Sequence, residues 1–520
     1  MSVVWARRGV LALAGLWVVV LAICFGWRIG FALELEWMEG GSLHQALRLQ
    51  QGLAIYPEPS AEFVPFLYTP LYTALLAMLG WALPLDFALA RVVSVAACVA
   101  VGLGLWRLVG QEGKPRAHQA AAVGLWCSGY VFSFRWYDVG RADSLFLALL
   151  LWGLVLLRGA RGRPRRAALA GLLVALAFWT KQTAAVFVLA SGLLGLLVAP
   201  RELLWFAATI AVVDGGGVLL GQRITGGQLW AYIYELHQSH AFNAERFTRK
   251  TWGMFGHAAP FLALLLVGRF AGGIWGLARG TGVKGQVDRR GLIYWGVLMA
   301  TALLVSALGY STQWAEPNAF MPGVCFGAAF VAVVLPVGRG EAAALGLVAA
   351  QLVFALLLEP RYQAIQERGL RAGFWDSYAW QDPARTLPDA GQRGRAAALR
   401  EELRAAGPTL ALQRPWWSVL AGGPGHVGSM GIHDVAPTQQ RAIERELAAR
   451  VEAGVYVALY FDGEAPAWLR SPLQRRYTLA RTWRGEERVL PMTGYMSAAG
   501  MVTPWRGPQL VYLRREASPK

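Results

Sequence analysis

Twelve apolar stretches follow one another along the first two thirds of the chain, at roughly 10–29, 63–83, 87–109, 119–133, 144–157, 167–181, 184–199, 203–220, 256–270, 291–309, 319–337 and 342–358. Crossing the hydrocarbon layer takes about 20 mostly apolar residues, and no single water-soluble core accommodates so many runs in series. Several are short and must tilt or lie beside thinned bilayer. The first could be mistaken for a secretion signal, but it is long, lacks a small-residue cleavage site and is followed by many more runs, which identifies it as a retained helix.

Composition places the boundary of this region. Of 520 residues, 56% are hydrophobic and 16% charged, against about 25% charged in ordinary globular proteins. Charge is uneven: 27 Lys+Arg and 16 Asp+Glu fall in the first 358 residues, 22 and 16 in the last 162. The expected architecture is a polytopic α-helical membrane module over 1–358 and a soluble domain over 359–520.

The net charge of +17 would suggest nucleic acid in a soluble protein. Here the basic residues cluster in connectors such as Arg158 to Arg166 (RGARGRPRR) and Arg279 to Arg290, where retention on the cytoplasmic side explains them, so no nucleic-acid role is expected. With Arg7 and Arg8 inside, the loop at 30–63, the connectors near Thr180, at 221–251 and at 310–318, and the tail all fall outside. Three stretches lie between the first outer loop and the turn around Asp138, which must itself be outside. Three is odd, so one of 63–83, 87–109 and 119–133 does not fully span, and about eleven spans are expected.

Charge at a membrane edge costs about 2.5–3.5 kcal/mol per residue on insertion scales, and the outer edge collects most of it. Glu34, Glu36 and Glu39 follow the first span, then an amphipathic stretch from Ser42 to Gln51 and an aromatic segment containing Tyr68. They are either a solvated loop or the source of a general base, which requires an acid at a site with limited water. Glu36 and Glu39, three apart, would share a helical face. The segment Arg135-Trp136-Tyr137-Asp138-Val139-Gly140-Arg141-Ala142-Asp143 is either a self-neutralising turn or a phosphate grip, a task suited to a planar guanidinium, with Asp138 or Asp143 orienting it or binding a metal. Lys181 and Gln182, in Thr180-Lys181-Gln182-Thr183, sit at a break between two apolar runs, where the lysine either snorkels or donates to a lipid phosphate. Tyr234, Glu235, His237, His240 and Asn243, and Gln313, Trp314, Glu316 and Asn318, are less specific outer polar groups. His237 and His240 lack a completed ligand set. Asp214, beside three glycines, has no assigned role. Cys24, Cys98, Cys127 and Cys325 are scattered singly without metal-ligand spacing.

Glu39-(x)6-Ala46-(x)5-Gly52-(x)3-Tyr56, then Tyr68-Thr69-Pro70-Leu71-Tyr72, Arg141-Ala142-Asp143-Ser144-Leu145 and the Thr-Lys-Gln-Thr tip, together resemble the bacterial GT-C glycosyltransferases, in particular family 39-like membrane proteins, over roughly residues 1–330. The resemblance implies an inverting transferase of the bacterial inner membrane that moves a sugar from a polyprenyl-phosphate donor to an acceptor on the extracytoplasmic face. It also implies that an acid of the first outer loop acts on the acceptor. By position this is Glu39 or Glu36; the family's usual Asp-Glu pair appears here as Met38-Glu39. Substrate contacts then fall to Tyr68, Asp138, Arg141, Asp143, Lys181 and Gln182. A divalent metal is used by some such proteins and not by others. Glycosyl transfer passes through an oxocarbenium-like state; a lipid-phosphate leaving group needs no protonating acid, so one base and cationic groups form the required complement.

In the tail, strand-like pieces at Thr409-Leu410-Ala411-Leu412 and 455–460 alternate with helical stretches from Gly391 to Ala406 and Thr438 to Ala453. A small α/β unit for acceptor binding or regulation is expected, with Gly422-Gly423-Pro424-Gly425-His426 as a turn. The competing reading, a transporter or lipid-carrier flippase, would be expected to show inverted repeats and matched broken helices, and no internal repeat is visible.

Overall fold

The computed structural model describes residues 2–278, 289–356, 387–483, 487, 489–490 and 508–515; most of the basic connector 279–290 and the first part of the tail lie outside these residues. Eight helices build the first part of the chain: α1 (Val3–Ile29), α2 (Glu39–Gln50), α3 (Leu71–Leu79), α4 (Phe87–Gln111), α5 (Arg116–Ser128), α6 (Ala142–Arg158), α7 (Pro164–Thr180) and α8 (Ala184–Val198). α1, α4 and the later helices Leu203–Ile224, Arg289–Ser311 and Pro317–Val334 are each long and apolar enough to cross a membrane. Arg246–Ala258 and Pro260–Ala271 meet these criteria together, but bend by 94° where they join. At 1.5 Å per residue, the 27-residue α1 reaches about 40 Å, whereas α5, α6 and α7, with 13, 17 and 17 residues, reach only about 20–26 Å.

The odd number of stretches before Asp138 has a structural resolution. The run at 63–83 contributes only the nine-residue α3, about 14 Å long, and cannot span. Its apolar character has another cause: Tyr72, Leu76 and Ala77 pack against Leu43 and Ala46 of α2 and Phe87 and Ala90 of α4. Residues 30–86 therefore form one elaborated connection, and α2 is the helix expected of the amphipathic stretch from Ser42.

Side chains of α1, α4, α5, α6 and the helices at 289–334 share one large core. Within it the turn after α5 is unusual. Phe134 and Arg135 are consecutive non-glycine residues with φ of 55° and 62°, a left-handed conformation that is costly for such side chains. That turn delivers Asp138, Gly140 and Arg141 to the start of α6.

The tail holds a four-stranded sheet with order β1-β2-β4-β3, formed by Thr409–Leu410, Ala458–Phe461, Tyr477–Thr482 (β3) and Leu510–Arg514 (β4). β1 and β2 run parallel; β4 is antiparallel to both β2 and β3, with an irregularity between Leu479 and Arg481. The helices Ala390–Ala406 and Pro437–Glu452 lie where the tail's helical pattern placed them. The Gly422–Gly425 loop is a turn, and Gly425 (φ 90°) abuts the His44 ring so closely that a β-carbon would overlap it.

Candidate active site at the first loop

The first loop is pinned from within the bundle. Glu39, fully buried at the start of α2, accepts from Arg91 Nε at 2.9 Å and Nη2 at 2.7 Å, from Leu35 N at 2.7 Å and from Gly140 N at 2.6 Å. Arg91, on α4, uses its remaining donors on the carbonyls of Phe31 (2.7 Å) and Leu33 (2.5 Å), with longer contacts to Arg28 and Ile29. Both oxygens of Glu39 are thus committed to holding the loop and the turn before α6. Arg91 was not singled out from sequence, although a charge inside an apolar run is the same costly signal that marked the outer acids.

Glu36 is held more loosely. Its Oε2 accepts from Met38 N at 3.0 Å and its Oε1 faces Arg141 Nη1 at 3.3 Å. Burial raises the Glu36 carboxyl above the ordinary carboxylate range; Arg141 opposes that shift, and the Glu39 charge adds to it. Arg141 is the hub of the cluster. Its Nη2 donates to the Tyr68 hydroxyl at 2.6 Å, its Nε lies 3.5 Å from Asp143, and the guanidinium stacks on Trp136 with 4.4 Å to the ring centroid. Asp143, in the first turn of α6, accepts from Lys181 Nζ at 2.6 Å and Asn318 Nδ2 at 3.0 Å. Lys181 caps α7, where the backbone becomes extended, and its Nζ lies 5.6 Å from the Tyr68 ring centroid.

Glu36, Tyr68, Arg141, Asp143 and Lys181 therefore form one connected cluster drawn from the first loop, the turn before α6 and the break after α7. Asn318 joins it. Gln182 lies at its margin, donating to the Leu67 carbonyl at 2.6 Å and meeting His237 Nε2 at 2.6 Å. Asp138 faces elsewhere: it accepts from Arg28 Nε at 2.6 Å and the Tyr130 hydroxyl at 2.9 Å, and so ties the turn to α1. His240 faces Asp434 of the tail at 3.2 Å. Among the described residues no three His, Cys, Asp or Glu side chains converge as metal ligands, and the acids of the cluster are already engaged with Arg141 or Lys181.

Glu34 departs from expectation. It is the least favoured of the three acids by spacing, yet it is buried and reaches the C-terminal part of the chain, accepting from Trp417 Nε1 at 2.8 Å. Burial pushes its carboxyl up to about 7, with Arg414 the main opposing charge.

No protein-family model matches the sequence, and comparison with curated proteins finds no match. Among solved structures the chain is similar to ArnT from Cupriavidus metallidurans in the apo state, with 11% sequence identity and a TM-score of 0.55 over 97% of this chain and 98% of that one. ArnT from the same organism bound to undecaprenyl phosphate aligns over 92% of this chain and 88% of that one, with 13% identity and a TM-score of 0.49. The overall architecture is thus shared with ArnT.

Proposed function

We propose that the protein is a membrane glycosyltransferase that moves a sugar from a polyprenyl-phosphate donor, such as one built on the undecaprenyl phosphate of the ArnT complex, to an acceptor hydroxyl on the extracytoplasmic face. The observation that carries this reading is the connected cluster itself: one loosely held, buried acid beside Arg141, which Asp143 links to a second cation, Lys181, at the mouth of an apolar helical body.

In this reaction Glu36 takes the proton of the acceptor hydroxyl. The hydroxyl oxygen bonds to the anomeric carbon from the face opposite the phosphate, and the bond from that carbon to the phosphate oxygen breaks, leaving its electron pair on the phosphate. Arg141 and Lys181 receive the departing anion; a guanidinium can do so with two parallel hydrogen bonds. Asp143 and Asn318 keep Lys181 aimed at the Tyr68 face. Charge balance favours the step, because protonating Glu36 removes one negative charge from the cluster as the leaving phosphate acquires one. Glu39 serves as the anchor that keeps Glu36 in place, since its four contacts leave it no free direction toward a hydroxyl.

The test is transfer by purified protein from polyprenyl-phosphate sugars to a panel of hydroxyl acceptors, comparing wild type with Glu36→Gln. Transfer that survives this change at the wild-type rate removes Glu36 as the base, and absence of transfer with every donor removes the reading and favours a carrier.

A further inference from the structure

The tail domain does more than sit over the first loop. Its short helix Pro415–Leu420 inserts Trp416 among Leu43, Ala46 and Tyr72, while Trp417, fully buried, donates its indole N–H to Glu34 Oε2. The other Glu34 oxygen is buried and has no partner among the described residues. Gly40 makes the approach possible, because a β-carbon there would lie 2.7 Å from Glu34 Oε1 and 2.8 Å from Trp416 Cβ. Two further tail contacts fall on the same connection: Arg400 Nη1 to the Ala32 carbonyl at 3.3 Å and Val427 N to the Ala61 carbonyl at 3.2 Å.

The segment from Phe31 to Glu39 is thus held on two sides. Arg91 of α4 grips its carbonyls and Glu39, and the tail domain grips Ala32 and Glu34; Glu36 lies between. We infer that Trp417 is a positioning residue of the transfer reaction: its indole N–H satisfies the buried Glu34 carboxylate, which without that bond would draw the loop out of place and move Glu36 away from Arg141. The proposal rests on the transferase reading for its consequence, and on the Trp417–Glu34 contact for its mechanism. The indole N–H supplies the side-chain hydrogen bond that favours an ionised carboxylate in that position; Arg414 adds its field and the Glu34 backbone a further hydrogen bond, while burial and the Glu39 charge oppose them. A neutral side chain does not need the indole bond.

The experiment compares full-length wild type, Trp417→Phe, Glu34→Gln and the double variant at pH 8, where Glu34 is ionised. Amide exchange across residues 31–38 is expected to speed up several-fold in Trp417→Phe and to stay near wild type in Glu34→Gln and in the double variant. With donor saturating, kcat is expected to fall about tenfold in Trp417→Phe, as loss of one hydrogen bond to a buried charge implies, and to recover in the double variant. Wild-type exchange in Trp417→Phe, equal loosening with and without Glu34→Gln, or full turnover with a loosened loop overturns the proposal. A wild type that transfers no sugar counts against the transferase reading, while the exchange comparison still decides the contact.

Discussion

Glu39 and Arg91 form a two-pronged ion pair across 52 residues of sequence, both side chains fully buried, with N–O distances of 2.9 and 2.7 Å. Removing one partner of such a pair leaves an uncompensated charge, at a cost of about 3–5 kcal/mol. Arg91→Met is therefore expected to destabilise the protein by that order and to loosen the first loop, and Glu39→Gln, which leaves the buried Arg91 charge without its counter-ion and turns an amide N–H2 toward donors that a carboxylate oxygen accepts from, is expected to cost a comparable amount. Thermal unfolding in detergent with wild type alongside measures both. Equal stability of Arg91→Met and wild type would show that the pair does not anchor the loop.

The pH dependence of transfer distinguishes the loop acids. A base works only when deprotonated, so raising its pKa moves the acid limb of the rate profile upward, and activity is lost as pH falls through the raised value. Burial raises Glu36, so the limb is expected above the ordinary glutamate value of about 4.3. Glu36→Gln should abolish most turnover at every pH. If Glu34→Gln removes the limb instead, the ionisation belongs to Glu34.

Lys181 and Arg141 are assigned to the leaving phosphate. Lys181→Met and Arg141→Met should each weaken donor binding and lower turnover by about 10- to 100-fold, the order of one or two charge-assisted hydrogen bonds. Lys181→Arg should retain part of the activity. Donor analogue binding by calorimetry separates affinity from rate. Unchanged affinity in both methionine variants would place the phosphate elsewhere.

Because the cluster acids are engaged by cations, the phosphate charge is met by Arg141 and Lys181 in this reading, and treatment with a chelator is expected to leave transfer within about twofold of the untreated rate. Loss of activity on chelation, restored by one divalent cation and not by others, would overturn that division of labour.

Sidedness can be measured directly. The four native cysteines are buried, so a membrane-impermeant maleimide should scarcely label intact cells carrying wild type. A cysteine at Glu464, whose side chain is 87% exposed in the tail, is expected to label from outside; one at Arg163, in the basic connector before α7, only after permeabilisation. The reverse pattern would invert the topology.

Several features are legible from residue order because they are local or statistical. Apolar run length marks helices, basic connectors suggest a sidedness, and the cost of charge at a membrane edge marks Glu36, Arg141, Asp143 and Lys181 as residues in need of partners. The tail helices at Ala390–Ala406 and Pro437–Glu452 follow from their periodicity. The 63–83 run misleads, since apolarity alone does not distinguish a span from a short helix packed on α2 and α4. The strands β3 and β4 lack a clear alternating pattern; their pairing is non-local and β3 is exposed from Thr478 to Thr482.

By itself the sequence determined that this chain must place most of its length in an apolar medium and that a small set of acids and cations had to be satisfied at one edge. Which acid pairs with which cation was decided only by the tertiary structure. Partner choice depends on helices far apart in the chain: Arg91 claims Glu39, Arg28 claims Asp138, and Arg141 remains beside Glu36. Contacts across 52, 110 and 105 residues are set by how α1, α4 and α6 pack, and spacing along the chain carries no record of that packing.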